Sequence, residues 1–335
     1  MISAKAKLNT KAFMDAPDMK PTRDGYGEGL VRAGEENENV VALSADLTES
    51  TRTEGFAKKF PDRFFECGVA EQGMATVAAG LGVSGKIPFI ASYATFSPGR
   101  NWEQIRTTIA YNDSNVKIAG HHAGISVGPD GATHQAIEDI ATMRVIANMR
   151  VIVPCDAIEA RKATEQAAKI WGPVYLRFSR EKTPLITSEE TPFTIGQAEA
   201  FFRAPGARVC IIGCGSLLHN VLLAALELKK EGIPVSVLNC HTIKPLDEKT
   251  ILAHAKKAGA VVTVEEHNVL GGLGGAIAEL LAKTLPLPIE FVGMQDTFGE
   301  SGSPLELWKK YGMDVPDIVR AVKRVLKRRK ISQMG

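Results

Sequence analysis

FFECGVAEQGMATVAAGLG, residues 64–82, decides how this chain is read. Its first residues, with Phe64, Phe65, Cys67 and Val69, read as the end of a buried strand. Glu71 follows, and Gly73, Ala75, Ala78, Ala79, Gly80 and Gly82 then read as a helix with almost no side-chain bulk. Such a helix can be approached very closely. A carboxylate in its first turn is expected in an apolar, closely packed place, with raised proton affinity and strengthened hydrogen bonds. The simpler reading makes Glu71 a helix-start residue favoured by the positive end of the dipole.

Outward from this stretch, strands and helices alternate. TRDGYGEGLVRAGEENENV from Thr22 predicts a helix, and VVALSAD, residues 40–46, a buried strand that delivers Asp46, Thr48 and Ser50 to a polar loop. The loop at such a strand end is where an open α/β sheet meets its ligands. KIPFIASYATF ends on Phe96, and Trp102, Ile105, Thr108 and Ile109 then recur at helical spacing. VKIAGHHAGISVGPDGATHQAIEDIATMRVI joins a strand, a glycine-rich loop and a helix, with His121, His122, Asp130 and His134 in one short region. Residues 128–131 cannot be helical, so His134 is expected where the chain leaves the loop and starts to coil. VIVPCD and PVYLRFSR add two strands, the second followed by Arg180. The order predicts a mainly parallel sheet with helices on both faces.

Residues 1–20 show no clear period and are expected to form an arm. The segment 181–196, rich in Pro, Thr and charge, divides a first domain, 21–187, from a second, 195–330, that repeats the α/β rhythm. GGLGG there lacks the spacing of a dinucleotide loop and is read as close packing. The basic end, VRAVKRVLKRRK, reads as a solvated helix face.

The 335 residues carry a net charge of +2, which argues against bulk attraction to nucleic acid or membrane. No apolar run is long enough to span a bilayer, and MISAKAKLNTKAFMD lacks the apolar core of a signal peptide, so a cytoplasmic chain is expected. The five cysteines, with no CxxC pair, suggest buried free thiols.

In this order, SADLT at 44–48, GVAEQ at 68–72, YATF at 93–96, GPDGATHQ at 128–135 and SR at 179–180, then EEHNVLGGLGGAIAELL and DTFGESGSP, the chain resembles the thiamine-diphosphate-dependent transketolases. The likeness covers nearly all the chain but corresponds to the second half of a full-length member. It implies an α/β fold of two domains, each a mainly parallel sheet with helices on both faces: a pyrimidine-binding domain and a transketolase C-terminal domain. The family holds the cofactor's diphosphate and its divalent ion, Mg²⁺ or another, on a Gly-Asp-Gly segment and a following Asn of the first domain, and no such segment occurs here. The resemblance therefore implies the C-terminal subunit of a split transketolase, working with an N-terminal subunit in an α2β2 heterotetramer.

Carried over by motif, Glu71 is the catalytic glutamate that hydrogen-bonds the aminopyrimidine ring of thiamine diphosphate, and Phe96 packs on that ring. The family's second aromatic corresponds to Gly99 and its tyrosine to Trp102, so the ring stack is expected to be rebuilt with Trp102. Asp46 is expected near the cofactor. His134 stands for the catalytic histidine near the reacting oxygen, Asp130 for the aspartate that reads a sugar hydroxyl, and His122 for the histidine toward the substrate phosphate. Arg23, Ser50 and Arg180 match the phosphate clamp, whose arginine forks suit a dianion. Arg180 is expected at a strand end where no acidic partner is needed. The implied reaction moves a two-carbon ketol unit from a ketose phosphate to an aldose phosphate, as in the pentose phosphate pathway. The alternatives are the β subunit of a 2-oxo acid dehydrogenase E1, against which GPDGATHQ discriminates, a deoxyxylulose-phosphate synthase, which is normally one full-length chain, and a non-catalytic assembly subunit.

Overall fold

Strands covered on both faces need no polar alternation, and VVALS and VCIIG, both buried throughout, show none. The computed structural model describes residues 1–332. In the first half the strands are β1 Met19–Pro21, β2 Val40–Ser44, β3 Phe64–Glu66, β4 Ile87–Tyr93, β5 Lys117–His121, β6 Arg150–Ile152, β7 Val174–Arg177 and β8 Lys182–Pro184. In the second they are β9 Glu199–Phe202, β10 Val209–Gly213, β11 Val235–Asn239, β12 Thr242–Lys244, β13 Val261–Asn268 and β14 Ile289–Met294.

The larger sheet has the order β12-β6-β7-β5-β4-β2-β3, parallel except for β12. Helices Thr22–Glu36 and Ala157–Ala168 cover one face through Leu30, Ala160 and Ala163, packed with Phe89 and Leu176. On the other face Met74, Ala78 and Ile105 meet Leu43, Ile90 and Ile118. The second sheet, β14-β13-β10-β11-β9, is parallel except for β9. No described helix is long and apolar enough to cross a membrane.

The readings before Glu71 and at His134 are corrected. The strand before Glu71 is not buried: Phe65 is 41% and Val69 71% exposed, because β3 is a three-residue edge strand with β2 as its one neighbour. Residues 242–244, ahead of helix Glu248–Ala258, form β12 and pair with β6. The second half thereby closes the edge of the first half's sheet, whose unpaired backbone groups would otherwise face solvent. The basic C-terminal helix, Val315–Ser332, turns an exposed charged face outward as expected, and on it Arg324 and Arg328 pair with Glu290, and Lys323 with Glu231. The chain does not begin to coil at His134. The next helix is Asp139–Arg144, because residue 136 is still bridged to residue 123 and the Asp139 carboxylate is held by Arg177 and Tyr175.

Within residues 1–20, Ala6 and Ala12 are buried, Ile2 is bridged to Phe202 of the second half, and Met19 and Lys20 pair with β8. GGLGG opens the helix Leu273–Thr284, and two of its backbone N–H groups are already occupied. Leu273 N and Gly274 N donate to the buried Glu265 carboxylate at 2.7 and 2.8 Å. An internal carboxyl group thus takes the place where a phosphate would bind.

Candidate active site

The C-terminal ends of the parallel strands gather most of the singled-out residues at one edge of the larger sheet. β2 delivers Asp46 and Ser50, β4 Phe96, β5 His122 and β7 Arg180, while Arg23 lies in the first turn of the helix after β1.

Glu71 is the first residue of helix Glu71–Val83 and is 2% exposed. Arg100 Nη1 donates to its Oε2 at 2.7 Å, and Asn101 Nδ2 donates to its backbone oxygen at 3.1 Å. The Arg100 guanidinium also lies 4.6 Å from the Phe96 ring centre. Phe96 stacks on Tyr93 at 5.8 Å and meets His134 edge-on at 5.6 Å, and Tyr93 in turn lies 3.9 Å from His122. No ring contact joins Trp102 to Phe96 among the described residues. Trp102 packs against the core instead, its Nε1 donating to the Thr142 carbonyl at 3.0 Å, so the expected two-ring stack is not formed within this chain.

The basic residues form a second group. Arg23 Nη1 donates to the Ser50 carbonyl at 2.9 Å, and its buried Nε has no partner among the described residues. Arg180 does have acids beside it: it donates to the Val127 carbonyl at 2.8 Å, with Asp130 at 3.6 Å and Glu181 at 3.8 Å. Asp130 comes from the loop after β5, whereas Glu181 is the next residue in the chain. His122 is 1% exposed, and burial, with Arg23, Arg180, His134 and Arg52, pushes its pKa down to about 3. Its imidazole is therefore neutral near pH 7, with Nδ1 unpartnered among the described residues. The arginines could hold a tetrahedral oxyanion, whose negative charge would also relieve their mutual repulsion.

Asp46 is exposed and has a left-handed φ of 58°. Its N–H donates to Glu66 Oε1 at 2.7 Å, and Thr48 Oγ1 donates to Oε2 at 2.6 Å, so Glu66 shapes this loop. His134 Nδ1 lies 2.9 Å from Thr133 Oγ1. Behind it, burial would raise the Asp139 pKa, but Arg177 outweighs burial and holds it below the ordinary carboxylate range.

Sequence reasoning missed Arg100, Tyr93, Arg52 and Glu66. Arg52, whose Nε donates to Asp24 at 2.7 Å, stands two residues beyond Ser50, and Arg100 stands in the same SPGRNW segment as Trp102. Those neighbours were the available signals.

The donor set fits an aminopyrimidine. Glu71 supplies an acceptor, Phe96 a flat apolar face, and Thr95 Oγ1 and Asn101 Oδ1 are buried polar atoms without partners among the described residues. Thr95, with Gly99, Trp102 and Thr142, also lines part of a cavity of about 230 Å³ that Glu71, Phe96 and Asn101 do not line.

Residues 18–185 match the transketolase pyrimidine binding domain and residues 198–318 the transketolase C-terminal domain. The chain is 45% identical to a "Putative transketolase C-terminal section" of Methanocaldococcus jannaschii, over 92% of this chain and 97% of that one. It is 41% identical to the "6-deoxy-6-sulfo-D-fructose transketolase subunit SqwH" of Clostridium sp. (strain MSTE9), over 92% and 95%. Against the Homo sapiens transketolase, 36% identical, it spans 49% of the relative's length. Among solved structures, a "Split gene transketolase, inactive beta4 tetramer" superimposes with a TM-score of 0.85 at 46% identity, covering 92% of this chain and 98% of that one.

Proposed function

The chain belongs to the transketolase family, and from that premise we propose that it is the C-terminal subunit of a split enzyme that moves a two-carbon ketol unit from a ketose phosphate to an aldose phosphate. The observation that carries this reading is one continuous line of contacts. It runs from Glu71 through Arg100 and Phe96 to His134, and through Tyr93 to His122 beside the arginines. A buried carboxylate and a group of basic residues are thus joined by neighbouring side chains at one sheet edge. The comparisons favour neither of the other thiamine-enzyme readings.

Thiamine diphosphate, when bound, supplies the nucleophilic carbon and the electron sink that carbon–carbon bond cleavage needs. Glu71 would hold the aminopyrimidine ring by a hydrogen bond, which its burial would strengthen. Phe96 packs on the ring face, and Trp102 and Asp46 border it. His134 moves the proton at the reacting sugar oxygen, Asp130 fixes a hydroxyl, and Arg23, Ser50, Arg180 and neutral His122 hold the phosphate.

The divalent ion and the diphosphate sit mainly on a separate N-terminal subunit, in an α2β2 assembly with sites at the interfaces. The split-gene relative, an inactive beta4 tetramer, supports this need for a partner. In this reading the reaction belongs to cytoplasmic pentose phosphate metabolism.

The test is ketol transfer from xylulose 5-phosphate to ribose 5-phosphate with thiamine diphosphate and Mg²⁺. It is run for this chain, its N-terminal partner, the mixture, and the mixture with Glu71→Ala. Activity in the mixture alone, abolished by Glu71→Ala, is expected. Activity of this chain by itself would refute the partner requirement, and an inactive assembled mixture would favour a non-catalytic subunit.

A further inference from the structure

The loop that carries Asp130 and His134 is held at both ends by groups buried between the two halves of the chain. At its entrance Glu266, on β13 and 3% exposed, accepts from Ser126 N at 2.5 Å through Oε1 and from Ser216 Oγ at 3.0 Å through Oε2. At its exit Gln135, also 3% exposed, donates from Nε2 to the carbonyls of Ile125, Gly128 and Glu300 at 3.1, 3.4 and 2.9 Å. Glu300 belongs to the DTFGESGSP segment, which lies against the loop so closely that a Cβ at Gly299 would collide with Gln135 Oε1. A Cβ at Gly131 would likewise come within 2.7 Å of Ser301 Oγ.

Burying a carboxylate is costly unless its oxygens are satisfied, and apolar side chains would fill the same space with less desolvation. What Glu266 adds is direction, because it fixes the backbone N–H of one residue in the short 3-10 segment Ile125–Asp130, which is kinked at Gly128. Gln135 does the same for three carbonyls and is the immediate neighbour of His134.

We propose that Glu266 and Gln135 are positioning residues for sugar binding, and that through them the second domain sets the placement of Asp130 and His134. This rests on the transketolase reading. Neither residue touches the reacting atoms, so their removal misplaces the sugar contacts and leaves the cofactor ring contacts of Glu71 and Phe96 in place.

The experiment compares Gln135→Met, Glu266→Ala and Glu266→Gln, each assembled with the N-terminal subunit. It measures kcat and KM for the ketose phosphate, thiamine diphosphate affinity by calorimetry, and hydrogen exchange of residues 124–135. Gln135→Met and Glu266→Ala should lower kcat/KM about 10- to 100-fold, the scale of a misplacement near 1 Å. Exchange in the loop should rise while cofactor affinity stays within about twofold of wild type, a ratio far below the tenfold of one 1.4 kcal/mol step. Glu266→Gln restores most of the activity, since its amide can accept from Ser126 N and donate to Ser216 Oγ. Should Glu266→Ala fail to assemble, Gln135→Met and the glutamine variant carry the test. Unchanged kinetics in folded Gln135→Met, or cofactor affinity lost in step with kcat/KM, would overturn the positioning role while leaving the transketolase reading intact. An inactive wild-type assembly would overturn that reading instead.

Discussion

Arg100 and Glu71 form an ion pair of 2.7 Å in which the carboxylate is 2% exposed and the guanidinium 45%. The pair occupies the carboxylate that the cofactor ring is proposed to use. The guanidinium takes Oε2, so it shares the carboxylate with a bound ring and weakens what the ring can gain from it. Arg100→Met should destabilise the cofactor-free assembly by about 1–3 kcal/mol, the cost of leaving a buried hydrogen-bonding group unpaired. Saturating thiamine diphosphate should narrow that gap by giving Glu71 its partner back. Thermal scans with and without cofactor check this, and an equal loss in both conditions would count against the shared carboxylate.

Arg23→Gln and Arg180→Gln should raise KM for a phosphorylated donor about 10- to 100-fold, since a charge-assisted contact contributes about 1.5–3 kcal/mol. Turnover of a donor without a terminal phosphate should change far less. Equal losses for both donors would remove these arginines from the phosphate site.

Burial pushes His122 and His241 down to about 3, and His121 well below its ordinary value, so all three fold neutral. The unfolded chain takes up their protons near pH 6.5, so stability is lost as pH falls from there toward 3. The slope is about 1.4 kcal/mol per pH unit for each proton. Urea midpoints at pH 7, 6 and 5 should fall in order, and His241→Gln should flatten the trend.

Glu159 acts with the opposite sign. Burial, and then the neighbouring Asp156, push its pKa up to about 7, so the folded state holds a proton that the unfolded state has released above pH 4.5. Its contribution is fully present below pH 4.5 and is lost as pH rises toward 7. Its carboxylate accepts from Cys155 N and Asn239 Nδ2, and the unpartnered Asn239 Oδ1 could accept from a carboxamide after an amide flip. Glu159→Gln should therefore gain stability relative to wild type at pH 8 and gain little at pH 5. A constant difference across that range would contradict the assignment.

Gly272 has an ordinary φ of −79°, but a Cβ there would strike Glu265 Oε2 and come within 2.7 Å of His267 Nδ1. Gly272→Ala should displace the carboxylate that caps helix Leu273–Thr284 and destabilise the protein by about 1–3 kcal/mol. Differential scanning calorimetry would show the loss, and an unchanged midpoint would mean that the capping carboxylate is dispensable.

The strand and helix order, Glu71 at a helix start and the delivery of Ser50, Phe96, His122 and Arg180 to one sheet edge were legible from the sequence. They follow from short-range periodicity and from the rule that parallel strands present their ends together. The exposure of Phe65 and Val69 was not legible, because an edge strand and a central strand carry the same local pattern until their neighbours are known.

By itself, then, the sequence determined what the segments are and which of them end in chemistry, since those properties depend on residues within a few positions of each other. Only the tertiary structure decided how the groups are held. Arg100 meets Glu71 across 29 positions, Ser126 meets Glu266 across 140, and Gln135 meets Glu300 across 165. β12 likewise joins the first half's sheet by pairing with a strand about ninety positions earlier. Such pairings are fixed by the packing of whole elements, which brings two side chains together at a distance along the chain that local pattern does not encode.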